Sequence, residues 1–509
     1  MADTKRIAKN TLMLYFRQIL IMLVSLYTVR VVLNTLGAED YGIYNVVAGV
    51  VTMFSFISGA MATASQRYFS FDLGKRDVEH LKTTFSITFQ IYVLIALIVI
   101  LIAETLGLWF VNNKLVIPSG RMIAANWIFQ AAIVSFLLTL ITTPYMASII
   151  AHENMDVYAY VSIIEVALKL SVIFLLKILP YDKLSLYGIL LAIVAFISTS
   201  IYRLYCRNHY DECKFRFVKD GKLFKEIVSY SGWNLFGSIA GVVKNQITNI
   251  LLNIYFGAVV NAARGIASQV NAAVASFGQN FTVALRPPII KEYTSEEKDN
   301  AYMLVCRGSK FTFFLLYLFA LPLFLEMNTV LKLWLKNPPN QSVLFTRLII
   351  IETVLISVSY SIMTLVQATG KIKLYQGVVG GILLLNLPLS YFALKLAAPA
   401  HVVMVIAILV EVMAFFARMI VVRYLTSFSI SLFFFNTICP CIFVSVISAI
   451  LPCLVIFTMN ESFFRLCITI FVSVMSIGSC ILFIGMNKLE RQSVIGKIIE
   501  QLQLGGENE

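Results

Sequence analysis

The chain has 509 residues, 59% of them hydrophobic and only 13% charged, with a mean hydropathy of +0.84. A soluble globular chain of this length does not reach such values, so the solvent it is built for is the bilayer. Its 40 Lys and Arg against 27 Asp and Glu leave a formal charge of +13, but the basic residues sort by membrane side, which argues against nucleic-acid binding as their purpose.

About fourteen apolar stretches fill the chain almost from end to end, each near the roughly 20 residues that cross a hydrocarbon core. They lie near 12–33, 41–63, 84–109, 122–143, 157–179, 184–205, 228–256, 260–285, 311–335, 343–368, 374–396, 400–422, 430–457 and 463–485. Continuous rather than alternating apolarity predicts helices and not a β-barrel. Lys5, Arg6 and Lys9 precede the first span, but Arg17 interrupts its apolar run and many spans follow, so that helix reads as retained. With the N-terminus inside, 26 basic residues fall on the cytoplasmic side, 8 outside and 6 within helices. Both termini are therefore expected in the cytoplasm, with the basic loops facing anionic headgroups.

A shift of 219 positions pairs Leu33 with Leu252, Ala48 with Ala267, Gly59 with Gly278 and Arg67 with Arg286. Six spans on either side of the basic stretch Arg203–Lys225 give the same division, which predicts an all-α polytopic fold of two six-helix lobes in parallel repeat plus a C-terminal helix pair. The expected boundaries are an N-terminal lobe over 1–205, a cytoplasmic linker over 206–227, a second lobe over 228–428, the extra pair over 429–487 and a cytoplasmic tail over 488–509. Pro144, Pro322, Pro388, Pro440 and Pro452 fall inside helices, as hinges or fixed kinks. The two spans of the extra pair hold no charge except Arg465, and the pair reads as an appendage.

Ionisable and amide side chains inside the membrane mark function or interhelical bonding. On the seventh helix Asn245, Asn249 and Asn253 recur every fourth residue beside Lys244; on the eighth, Arg264, Asn271 and Arg286 share a broad face. Such faces predict a hydrated path, with a packed polar interface as the alternative. With Arg17 and Arg30 on the first helix, the cations favour an anionic, phosphorylated substrate. Arg17 also suits snorkelling to headgroups. Glu352 stands without an obvious partner and is the first candidate for binding a coupling H⁺ or Na⁺. Glu165 is a second, although Lys169, four residues on, can neutralise it. The eight cysteines and four histidines show no disulfide framework or metal spacing. There is no nucleotide-binding glycine loop and no large external loop for catalysis, so neither an enzyme nor a bound cofactor is expected.

The segments LNTLGAEDYGIYNVVAGVV, SQRYFSFDLGKRD, KLFKEIVSYSGWNLFGSIAG and LRPPIIKEY resemble the polysaccharide-exporter branch of the multidrug/oligosaccharidyl-lipid/polysaccharide superfamily, over about residues 5–430. The resemblance is to bacterial flippases for O-antigen or capsule repeat units, with lipid II flippases more distant. It implies movement of an undecaprenyl-diphosphate-linked oligosaccharide, a lipopolysaccharide or capsule precursor, across the inner membrane by alternating access. It also implies that Arg17 or Arg30, with Arg264, engages the diphosphate, and that a polysaccharide polymerase and assembly proteins are partners. The first helix lacks the aspartate typical of cation-coupled drug exporters in this superfamily. A cation antiporter and a scaffold for glycan assembly are the alternative readings.

Overall fold

The computed structural model describes residues 4–492 apart from 53, 114, 116, 295–297, 336, 337 and 489. Every regular element among the described residues is helical. In lipid each backbone amide must be paired within its own segment, which long runs of Leu, Ile, Val and Phe achieve only as helices. Among the described residues nine helices are long and apolar enough to cross a membrane, ten if a pair bent by 41° counts as one span. The chain is thus an all-α, multi-pass membrane protein, although these helices do not reach the expected count of fourteen. The first expected segment and part of the second lie in α1 (Thr4–Thr52), which bends between them at Gly37, and the polar seventh and eighth lie in the helical stretch α7 (Gly221–Thr294), which folds back so that Arg286 near its end comes within electrostatic reach of Tyr230 near its start.

The chain forms two compact units, Met1–Ile239 with Val283–Lys298, and Ala240–Thr282 with Asp299–Glu509. The first holds α1, α2 (Ser55–Lys75), α3 (Val78–Asn113), α4 (Met122–Ala151), α5 (Met155–Ile178), α6 (Lys183–His209) and both ends of α7. Two helices meet within α1 at Gly37, where φ is 83°, a conformation that costs any residue with a Cβ. α4 is the hub of this unit, packed against α1, α2, α3 and α6. Asp77 accepts from the His80 amide at 3.0 Å and Asp182 from the Ser185 amide at 3.0 Å, capping α3 and α6.

The second unit holds the middle of α7, then α8 (Lys298–Leu335), α9 (Ser342–Ser357), α10 (Tyr360–Thr369), α11 (Ile372–Lys395), α12 (Val402–Leu425), α13 (Ile430–Thr458) and α14 (Phe463–Gly485). Here α12 is the hub, against α9, α10 and α11. Leu252, Ala263 and Ala267 of α7 join Phe345, Ile349 and Val403 in one core cluster, which anchors the polar helix between apolar ones. α13 and α14 are not a loose appendage. Tyr317 of α8 donates to the Ser445 carbonyl at 2.8 Å, Thr437 to the Cys306 carbonyl at 3.0 Å, and Arg465 of α14 to Glu326 of α8. In an apolar medium such polar ties have no water to compete with, so a few of them fasten a helix pair along its length.

Candidate functional site

The middle of α7 carries Lys244 into the interior of the second unit, where its side chain is 10% exposed. Its ammonium lies 2.5 Å from Glu352 Oε1 on α9 and 3.5 Å from Glu411 Oε2 on α12. Glu352 is therefore not the partnerless acid that the sequence suggested. Glu411 takes a second cation, because Arg418 Nη1 donates to its Oε1 at 2.5 Å. Arg418 is 1% exposed and also donates to Tyr375 Oη at 3.3 Å and Ser359 Oγ at 3.4 Å. The structure buries Arg418 within α12. Glu411 and Arg418 are seven residues apart, two helical turns on one face, which is the signal in the sequence that could have found this pair.

Arg264 stands apart from these pairs. It is 6% exposed, within electrostatic reach of Glu352, and its buried Nε meets no hydrogen-bond partner. No carboxylate lies within ion-pair distance of it among the described residues. A guanidinium left so costs several kcal/mol in a low-dielectric interior unless an anion answers it. Lys244, Arg264 and Arg418 against Glu352 and Glu411 leave one positive charge in excess, and Arg264 carries it. Its planar fork suits a phosphate or carboxylate held through two hydrogen bonds.

The remaining predicted residues divide between the units. Asn271 accepts a hydrogen bond from the Thr353 hydroxyl, and Asn249 is half-buried on α7; both belong to the second unit. Arg17 belongs to the first, where Nε donates to Ser162 Oγ at 2.7 Å and the guanidinium lies 4.5 Å above the Tyr158 ring. So does Arg286, which donates to Gln66 Oε1 at 2.6 Å. Lys169 donates to Glu165 at 2.6 Å, the neutralising pair that the spacing allowed. That pair lines a cavity of about 550 Å³ inside the first unit, with Thr28, Tyr44, Ser135 and Tyr187. The side chains of Arg30, Asn245 and Asn253 lie outside the described residues, as do 493–509 of the tail.

A family model described as "Polysaccharide biosynthesis protein" matches residues 7–287, more than half of the chain. The chain belongs to the polysaccharide biosynthesis protein family. Membership bears out the resemblance carried by the four quoted segments, three of which lie wholly within the matched region. No curated protein matches the chain. Solved structures share the fold of this family member at low identity. An outward-facing multidrug resistance MATE family transporter of the MOP superfamily is 11% identical, with a TM-score of 0.70 over 83% of this chain and 96% of that one. A Vibrio cholerae MATE transporter is 14% identical, with a TM-score of 0.63 over 82% and 96%. A MOP-superfamily transporter from Pyrococcus furiosus, described by a reversed polarity of its binding pocket, is 10% identical with a TM-score of 0.67 over 83% and 96%. A member of this family with a MOP transporter fold is a membrane component of polysaccharide biosynthesis.

Proposed function

We propose that the protein is a flippase that moves an undecaprenyl-diphosphate-linked oligosaccharide from the cytoplasmic to the outer leaflet of the bacterial inner membrane by alternating access, with both termini cytoplasmic. The observation that carries this reading is Arg264, a buried guanidinium without an acceptor at Nε in a cluster with one cation in excess. A diphosphate answers that charge, and family membership supplies the glycan. Arg17 and Arg286 are the candidates for phosphate contacts in the first unit, and H⁺ or Na⁺ coupling belongs to this reading as well. The reversed polarity of the binding pocket described for the Pyrococcus furiosus transporter supports taking the charge of this chain's own cluster, and not the fold, as the guide to its substrate.

A second reading, an organic-cation antiporter, draws on the multidrug transporters that share the fold. Against it, the carboxylates of this cluster already face Lys244 and Arg418. The deciding experiment follows a labelled undecaprenyl-diphosphate oligosaccharide between leaflets of proteoliposomes, beside efflux of a cationic dye, under H⁺ and Na⁺ gradients. Transfer without dye efflux is expected. Arg264→Ala should slow transfer at least about tenfold, a factor equivalent to about 1.4 kcal/mol, with insertion unchanged. Dye efflux without transfer would favour the antiporter, and silence in both, with several glycans tried, would favour the scaffold.

A further inference from the structure

The pair Glu352 and Glu411 has the composition of a cation site, yet the cation in it is part of the chain. We propose that these two carboxylates form a latent binding site for a primary ammonium ion, kept closed to exogenous cations by Lys244, which is thereby a specificity-determining residue. The inference stands on this geometry and does not depend on which anion Arg264 receives.

Glu411 is 2% exposed, and Arg418 holds its Oε1 from behind at 2.5 Å. Its other oxygen, Oε2, is buried and makes no hydrogen bond; it faces Lys244 Nζ at 3.5 Å. Glu352, 20% exposed, supplies the short contact at 2.5 Å. One carboxylate oxygen is thus engaged by the ammonium while a second is oriented toward it with hydrogen-bonding capacity unspent. Arg264, Tyr360, Tyr375 and Arg418 are the other charged or titratable groups that act on this pair. None of the four reaches Glu352 as an ion-pair partner among the described residues.

Beyond its Cβ, lysine consists of three methylenes and an ammonium, which is n-propylammonium. Lys244→Ala therefore removes a propylammonium from a buried space that collapses only in part, and leaves Glu352 without its cation. An added primary ammonium restores both shape and charge. A quaternary ion of similar size restores charge alone, because it has no N–H to donate. Na⁺ needs several more oxygen ligands than two carboxylates flanked by arginines provide.

The test is thermal unfolding of the purified full-length protein with n-propylammonium, tetramethylammonium or Na⁺ at matched ionic strength. For Lys244→Ala we expect a propylammonium-dependent rise in Tm of at least about 2 °C. Wild type and Lys244→Ala/Glu352→Gln should show none, and tetramethylammonium and Na⁺ should leave Lys244→Ala unchanged. An absent rise in Lys244→Ala, or an equal rise in wild type or in the double variant, overturns the proposal. If Lys244→Ala does not accumulate, Lys244→Ala/Glu411→Gln keeps the more exposed Glu352 alone. Propylammonium must then stabilise that protein relative to Lys244→Ala/Glu352→Gln/Glu411→Gln, and equal responses again overturn the proposal. No phosphate is present, so failure here leaves the flippase reading intact, and failure of lipid transfer leaves this result intact.

Discussion

Glu326 is fully buried, and both oxygens of its carboxylate are engaged: Arg465 Nε donates at 2.8 Å, Arg465 Nη2 at 2.9 Å, Thr329 at 2.9 Å and Thr469 at 3.1 Å. Removing one partner strands the other, so Glu326→Ala should destabilise the protein by about 3–5 kcal/mol in denaturant unfolding. Glu326→Gln with Arg465→Gln should cost clearly less, because no net charge is then left buried. Arg465 was visible in the sequence as the one charge within the last two spans. Its pairing with Glu326 was not, since 139 positions separate the two and only tertiary packing joins them. The same limit hid the contact of Lys244 with Glu352, 108 positions apart. Asn271 and its Thr353 donor illustrate the intermediate case, in which a polar face was legible but its partner was not.

At the scale of elements, apolarity located the helices and charge located the turns between them. What it could not give is the form of the short connections at 34–40 and 256–260. At 34–40 the chain bends at Gly37, and between the seventh and eighth segments it turns back within α7, bringing Arg286 within electrostatic reach of Tyr230. Close approach of elements was equally invisible. At the end of α2, a Cβ on Gly74 would sit 2.1 Å from Thr294 Oγ1 and 3.0 Å from Lys291 Cα, both on the last turns of α7. Gly74→Ala should therefore cost about 1–3 kcal/mol in thermal or denaturant unfolding. Adding Thr294→Ala should recover only part of that loss, since the Lys291 backbone remains in the way.

For the whole molecule, the sequence suggested a six-plus-six division about the basic stretch Arg203–Lys225. The units themselves follow a less simple course, since the chain leaves the first at Ile239, re-enters it at Val283 and leaves again after Lys298. The re-entering segment contributes to packing. Ala284 joins Leu14, Ile150 and Met155 in a core cluster, and Lys291 donates to Glu153 at 2.6 Å. Residues 1–239 produced alone should thus be degraded at least about tenfold faster in limited proteolysis than the same residues within the full protein. Equal rates would show that 283–298 is dispensable.

That re-entry also sets a timetable for biogenesis. The first unit cannot be completed when Ile239 leaves the ribosome; it must wait until Lys298 follows. At about 5–20 residues per second the delay is roughly 3–12 s. Through that interval Glu153 lacks its lysine and the Leu14 cluster lacks Ala284. Insertases and quality-control proteases of the membrane therefore meet a half-built unit on every round of synthesis.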